Sequence, residues 1–324
     1  MPLANPNPSP RSLPLIEAAV GKWTIVDVGA RGGVSPVWEP MKAHAQFVGF
    51  DPDPEECKRL EQDGQTFIPA ALDSVPGART LHLTRSPWCH GFVPINRDAK
   101  RFPNWVNNEP VGSIAVPTTT LDLAMQDCPR VDFIKIDTEG SELDVLRGGD
   151  RTLEHCLGVM VELWFGTKDA LPPWMVDCHL RRAGFRFYDI AVQRYPRNTM
   201  PVGHLRDDGS APPQFRDHGQ VMTGDALYFR DPLVDLSYRW SALSILHLIG
   251  LLDLWGYQDA ALELAFEERD RLEGVLDVDA LIESLVPPIG GRIVSFEDYW
   301  RRSAGQFGES HLAEGVRPKL EMPR

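Results

Sequence analysis

Five acidic residues stand where short apolar runs end, and their spacing can bring them into one crevice. Asp27 lies in Ile25-Val26-Asp27-Val28, and Asp51 closes Phe47-Val48-Gly49-Phe50. Asp137 follows Val131 to Ile136, Glu139 comes two residues later, and Glu162 lies in the run Leu157 to Leu163. If these runs are parallel strands, ligands bind outside their carboxyl ends, where strand order reverses. A glycine-rich run, Gly29-Ala30-Arg31-Gly32-Gly33, directly follows the first strand. Such a turn lets backbone N–H groups approach a ligand. The acid about twenty residues on can accept hydrogen bonds from both hydroxyls of a ribose.

The GxGxxG spacing of a dinucleotide site is absent. Asp27, two residues before the first glycine, would also put negative charge where a pyrophosphate must lie. That charge suits a cofactor with a positive centre. S-adenosylmethionine has a sulfonium and an ammonium, and no phosphate. Asp137 and Glu139 are placed to act as a general base, which must come within hydrogen-bond reach of the proton it takes. The plainer alternative is that Asp137 binds only the cofactor ammonium and Glu139 caps the next helix, where acids are common. Asp137 and Glu162 can also share a divalent cation through hard oxygen ligands. His90, in the loop Ser86-Pro87-Trp88-Cys89-His90-Gly91, is a candidate base or substrate contact. Trp88 and Trp105 can wall an acceptor or close the loop onto the body.

Strands alternating with helices must position these groups. The pattern predicts strands over Ile25–Val28, Phe47–Phe50, Thr66–Leu72, Val131–Asp137 and Leu157–Leu163, with late antiparallel strands near Phe185–Ile190 and Asp225–Phe229. Arg79–Thr84 and Ser113–Pro117 are expected to pair as a hairpin. Helices are expected over Ser12–Val20, Glu55–Asp63 (stopped by Gly64), Thr120–Gln126, Ser141–Leu146 and Met175–Ala183. A short or irregular helix fits Glu39–Ala45, beside Pro36 and Pro40. The order implies a doubly wound α/β sheet. Beyond Asp231 the chain turns helical, over Tyr238–Leu254, Asp259–Arg271 and Asp279–Leu285. The expected domains are therefore an N-terminal arm with a short helix (1–22), a catalytic domain (23–231) and a helical C-terminal extension (232–324). The extension is expected to add helices buried on the sheet; the alternatives are a cap over the site or a homodimer surface.

Composition narrows the partners. The formal net charge is -13 over 324 residues. That argues against a nucleic-acid partner, which needs a cationic surface, and against docking on anionic lipid. The five cysteines form no CxxC pair, so zinc and redox motifs lack support. Met1 to Leu13 lacks an apolar signal core, and the odd thiol count points to a reducing, cytoplasmic location. Leu243 to Trp255 is too short to span a bilayer and reads as a buried helix.

The segment Val131-Asp132-Phe133-Ile134-Lys135-Ile136-Asp137-Thr138-Glu139-Gly140-Ser141-Glu142 follows Thr119-Thr120-Leu121-Asp122 and precedes Val145-Leu146-Arg147-Gly148-Gly149. Together with Val26-Asp27-Val28-Gly29, Ala70-Ala71-Leu72 and Asp225-Ala226-Leu227-Tyr228-Phe229, it resembles the FkbM family of S-adenosylmethionine-dependent methyltransferases. The likeness runs from about Trp23 to Arg230. It implies a class I methyltransferase (Rossmann-like) fold, mostly parallel with an antiparallel late strand. The implied activity is O-methylation of a hydroxyl on a sugar, polyketide or related natural product. By the same resemblance, Gly29, Ala30, Arg31 and Gly33 would hold the methionine part and Asp51 the ribose, and Asp27 and Pro52 are also expected to contact the cofactor. Ala71 and Leu72 would lie near the adenine, and Asp137 and Glu139 would face methyl transfer. Two other readings stand beside it: a non-catalytic methyltransferase-like binding module and a nucleotide-dependent oxidoreductase.

Overall fold

The computed structural model describes residues 7–61, 65–166, 168–200, 219–235 and 238–307. They fall into two units. One runs from Trp23 to Tyr238, and the other joins the N-terminal segment up to Lys22 with the chain from Arg239 onward.

The chain begins with α1 (Leu13–Val20), which belongs to the second unit. In the first unit the strands are β1 (Trp23–Val28), β2 (Ala45–Asp51), β3 (Thr66–Pro69), β4 (Ala71–Leu72), β5 (Gly77–Thr84), β6 (Pro110–Thr119), β7 (Phe133–Ile136), β8 (Gly158–Trp164), β9 (Arg186–Tyr195) and β10 (Gln220–Phe229). Between them lie α2 (Pro54–Leu60), α3 (Trp105–Asn108), α4 (Leu121–Ala124), α5 (Glu142–Arg147), α6 (Asp150–Leu153) and α7 (Pro173–Arg182). The main sheet has seven strands in the order β3-β2-β1-β7-β8-β10-β9. The first five run parallel, and β10 is antiparallel to both of its neighbours. Strand order reverses between β1 and β7, so their carboxyl ends open the crevice in which such sheets bind ligands.

The parallel strands are almost continuously apolar because both of their faces are covered. Val26, Val28, Ile134, Ile136, Val159 and Val161 are fully or nearly fully buried in one cluster with Leu143, Val145 and Leu146 of α5. Trp38 packs edge-on against Phe133, with ring centroids 4.9 Å apart. Pro36–Met41 around it is a 3-10 helix, because Pro40 inside the segment has no N–H to continue an α-helical ladder. The run Thr66–Leu72 divides at Ala70. Its first half joins the main sheet, and Ala71–Leu72 pairs with β6 in a second, three-stranded sheet. That sheet also contains the expected antiparallel pair β5–β6. Helix α2 ends at Leu60, and the expected stop at Gly64 lies outside the described residues.

The second unit contains α8 (Ala242–Leu254), α9 (Gln258–Glu267), α10 (Arg269–Leu272), α11 (Val278–Leu285) and α12 (Phe296–Phe307). Every residue of α8 from Ser244 to Leu254 is buried, including His247 and Asp253. These two polar groups account for the path of the N-terminal segment. Asp253 accepts hydrogen bonds from Ser12 Oγ (2.6 Å) and Asn7 Nδ2 (2.8 Å). His247 Nε2 lies 3.1 Å from the Gly21 carbonyl oxygen, and Arg11 donates to the Val286 carbonyl at 2.7 Å. Buried polar groups demand such partners, so residues 7–13 are tied down rather than forming a loose arm. Among the described residues, no helix is long and apolar enough to cross a membrane.

Candidate functional site

A cavity of about 990 Å³ opens at the carboxyl edge of the main sheet. Its wall includes Asp27, Gly29, Arg31, Gly33, Asp51, Pro52, Ala71, Leu72, His90, Asp137, Glu139 and Glu162. Of the residues expected to bind the cofactor or act on the acceptor, Ala30 and the candidate wall residue Trp105 lie outside the wall. Ala30 is buried against Cys57, Leu60 and Phe67, behind the turn.

The glycine turn works differently from the expectation. Its N–H groups are largely spent inside the protein. Gly29 and Ala30 both donate to the Phe50 carbonyl at 2.9 Å, Gly32 donates to Glu56 Oε1 at 2.8 Å, and Gly33 donates to the Ala30 carbonyl at 3.0 Å. The glycines are needed for shape. Gly29 has φ +83°, and a Cβ there would overlap the Asp137 carbonyl oxygen. Gly32 has φ +82°, and a Cβ there would enter the ring of Trp88. The turn is thus pressed onto the chain after β7, and the tryptophan of the Ser86–Gly91 loop lies on top of it.

At one end of the cavity, Asp51 is buried at the tip of β2. Its Oδ1 accepts from the Asp53 N–H at 2.9 Å and lies 3.4 Å from the Arg31 guanidinium. Burial pushes its pKa up, against the pull of that N–H and of Arg31. Arg31 also donates to Asp53 at 2.8 Å, so its side chain serves the carboxylates at the end of β2, not the segment after β7. His90 belongs to the same end. Its Nδ1 accepts the Thr84 backbone N–H at 3.1 Å, a shorter contact than the 3.3 Å to Thr84 Oγ1. A backbone N–H can only donate, so this bond leaves the neutral ring its proton on Nε2. Burial and the Arg31 charge lower the His90 pKa, and Asp53 opposes them. In this geometry the neutral His90 ring is a donor at Nε2, and the sequence offers it as a base or a substrate contact.

At the switch point, Asp27 and Lys135 are register partners on β1 and β7, and Lys135 Nζ donates to Asp27 Oδ1 at 3.2 Å. Burial raises the Asp27 pKa, with Lys135 opposing. For Lys135, burial opposes the charge, but Asp27, Asp137 and Asp225 more than offset it and hold the ammonium above its usual range. Its Nζ also lies 3.5 Å from Asp137 Oδ2.

At the other end, Asp137, Glu139 and Glu162 converge, with one carboxylate oxygen from each lying within 4.8 Å of the others. Three hard oxygen donors fit the chemistry of a divalent cation, and Glu139 adds a third to the expected pair. Glu139 has φ +61° and is the only non-glycine residue at positive φ among those described. Such strain persists only where its surroundings enforce it. Gly140 follows at φ +111°, and Glu142 Oε1 accepts from the N–H groups of Thr138 (3.1 Å) and Gly140 (2.8 Å). Lys168 donates to the Glu139 carbonyl at 2.8 Å and pairs with its carboxylate. Burial raises the Glu139 pKa, and Lys168 opposes it. Glu162 accepts from Trp164 Nε1 at 2.7 Å. Its pKa is driven well above the ordinary value by burial and then by Asp137 and Glu139.

Sequence reasoning missed Lys135, Glu142, Lys168 and Asn108. The first two stood inside the quoted motif and could have been read as partners for its acids. Asn108 is buried on the cavity wall, with Nδ2 donating to the Asn104 carbonyl and Oδ1 without a protein partner among the described residues. Trp105, an expected wall, is not part of the lining, and Lys100 lies over its ring at 5.1 Å.

The antiparallel β10 in the sixth position of the strand order, the turn after β1 and the acids at the ends of β2 and β7 define a class I, Rossmann-like methyltransferase fold. Residues 27–187 match the family model described as the methyltransferase FkbM domain. Solved structures with similar topology include magnesium protoporphyrin IX methyltransferase from Synechocystis PCC 6803 with bound SAM. That match has 9% identity and a TM-score of 0.33, and covers 68% of this chain and 80% of that one. Another is a SAM-dependent methyltransferase from Archaeoglobus fulgidus, with 12% identity and a TM-score of 0.34, covering 68% and 90%. No curated protein sequence matches the chain significantly.

Proposed function

We propose that the chain transfers a methyl group from S-adenosylmethionine to a hydroxyl oxygen of a small molecule or glycan. The observation that carries this reading is a single cavity whose wall holds the glycine turn, Asp51 and the Asp137–Glu139 pair together. The charge of the wall agrees with it. Asp27, Asp51, Asp53, Asp137, Glu139 and Glu162 face two basic residues, Arg31 and Lys135. That excess of acid favours a cationic ligand and disfavours a pyrophosphate.

In this reading Asp51 binds the ribose hydroxyls, and His90 Nε2–H offers a donor at the same end. The Asp27–Lys135 pair presents an anion and a cation to the zwitterionic amino-acid end. Ala71 and Leu72 give apolar surface for the adenine. The unpaired Asn108 Oδ1 accepts a hydrogen bond from whichever ligand group reaches it. When bound, S-adenosylmethionine supplies a methyl group on a positively charged sulfur. The protein's task at the acceptor is to orient the hydroxyl and take its proton. Asp137 and Glu139 hold carboxylates at the wall for that purpose. Glu162, its pKa raised by burial and by the Asp137 and Glu139 charges, stands beside them. Trp88, lying over Gly32, helps to keep water from the turn.

Calorimetry with S-adenosylhomocysteine tests the reading. Binding is expected, and Asp51→Ala should weaken it by about 1.5–3 kcal/mol, the range for hydrogen bonds to a charged group. Absence of binding overturns the methyl-donor site and favours a non-catalytic module. Transfer of labelled methyl to amine acceptors but not hydroxyl acceptors overturns the oxygen assignment.

A further inference from the structure

The acid cluster already contains a cation. Lys168, in the segment after β8, has a side chain with no solvent exposure. Its ammonium donates to the Glu139 carbonyl and pairs with the Glu139 carboxylate. It lies 4.1 Å from the centre of the Trp164 ring, while the indole N–H of Trp164 donates to Glu162. Lys168 and Trp164 therefore link Glu139 to Glu162. The backbone at Lys168 is anchored as well, through an antiparallel bridge to Ile95. Burying an ammonium is costly unless it is paired and hydrogen-bonded, and here each partner belongs to the strained Glu139 or to the wall beside Glu162. The Lys168 charge also opposes the upward shift of the Glu162 pKa, so its field reaches beyond Glu139.

We propose that Lys168 is a positioning residue that serves as the resident cation of the Asp137–Glu139–Glu162 cluster, in the role a divalent metal ion would otherwise fill. It fixes the Glu139 carboxylate and the left-handed turn that presents it, and it supplies the positive charge the cluster needs. The inference deepens the methyl-transfer reading of the same cavity and rests on it for its catalytic meaning. Its test reads ion binding only. A chain that takes up metal and a chain that fails to bind S-adenosylhomocysteine are thus separate failures.

The test is a Mn²⁺ titration followed by the electron paramagnetic resonance signal of the free ion. The wild-type chain is expected to show no saturable uptake. Lys168→Ala removes the ammonium and leaves the carboxylates to an external cation. Its Mn²⁺ affinity should rise by about tenfold or more, as expected when a unit positive charge a few ångströms away is removed. Adding Glu162→Gln to that variant should abolish the gain, and Lys168→Arg, which keeps the charge, should behave as wild type. A purely structural lysine would not move this signal. Circular dichroism checks folding, and Lys168→Gln replaces the alanine variant if that one is unfolded. Two results overturn the proposal. One is stoichiometric Mn²⁺ binding by the wild-type chain that Glu162→Gln abolishes. The other is a folded Lys168→Ala or Lys168→Gln variant that binds Mn²⁺ no better than wild type.

Discussion

The two ends of the cavity hold negative charge in different ways. At the Asp51 end, proposed above to hold the ribose, Asp51 and Asp53 share Arg31, a guanidinium partly open to solvent, and the Asp53 N–H just beyond β2 donates to Asp51 as well. At the far end three carboxylates lie within 4.8 Å of one another, and the ammonium beside them is wholly buried. At the Asp51 end Arg31 and Asp53 are partly exposed, and a backbone N–H and the Arg31 charge oppose the burial that raises the Asp51 pKa. Burial with close like charges makes the far end sensitive to every proton and cation it holds, which suits a group that must take up a proton. Gly29 and Asp137 connect the two ends, because the turn after β1 touches the carbonyl after β7.

The sharpest way to break this contrast is to neutralise the far end alone. Asp137→Asn combined with Glu139→Gln should lower turnover by about 10²–10⁴-fold, the usual worth of a general base. S-adenosylhomocysteine affinity should stay within a few-fold of wild type. Steady-state kinetics with labelled methyl donor, read beside calorimetry, separates the two quantities. Equal losses in both would mean that the far end binds rather than reacts, and the contrast would fail. The next largest effect belongs to the joint between the ends. Gly29→Ala must accept a left-handed φ and a Cβ inside the space of the Asp137 carbonyl. A loss of about 3 kcal/mol in unfolding free energy is expected, from the cost of a left-handed alanine plus overpacking. Urea denaturation measures it. A loss under about 1 kcal/mol would show that the turn can part from the segment after β7 without strain.

The ribose end was far more legible in the sequence than the acid end. Asp51 and the glycine turn announce themselves because period, turn residue and acid lie within one βαβ unit. The doubly wound α/β class followed from the alternation of elements, and Asp137 and Glu162 could be placed by strand ends alone. Lys168 could not. It sits 29 residues from its partner Glu139, in a segment without helical or strand periodicity, and only the fold brings the two together. The acceptors that use up the turn N–H groups, Phe50 O and Glu56, are tertiary partners of the same kind. His90 was read by residue type. Its role depends on which nitrogen meets the Thr84 N–H, and composition carries no such information. The tie between residues 7–13 and α8 was hidden because a Pro/Asn/Ser-rich stretch looks unstructured until Asp253 and His247 are seen to need partners.

The smallest effect probes the shell beneath the acid end. Glu142 holds the Thr138 and Gly140 N–H groups, yet burial, opposed by the Gly140 bond, pushes its pKa to about 7. A carboxyl raised from 4.5 to about 7 binds more protons folded than unfolded between those values. Unfolding free energy must therefore fall as pH rises through that window. Glu142→Gln keeps an oxygen for the two N–H groups and removes the titration. Its stability should match wild type at pH 5 to within a few tenths of a kcal/mol, and exceed it by about 1–2 kcal/mol at pH 8. Urea denaturation across that range measures both arms. Parallel pH curves for the two chains would mean that Glu142 ionises freely in place. The acid end would then be as well compensated as the ribose end, and the difference between them would reduce to exposure alone.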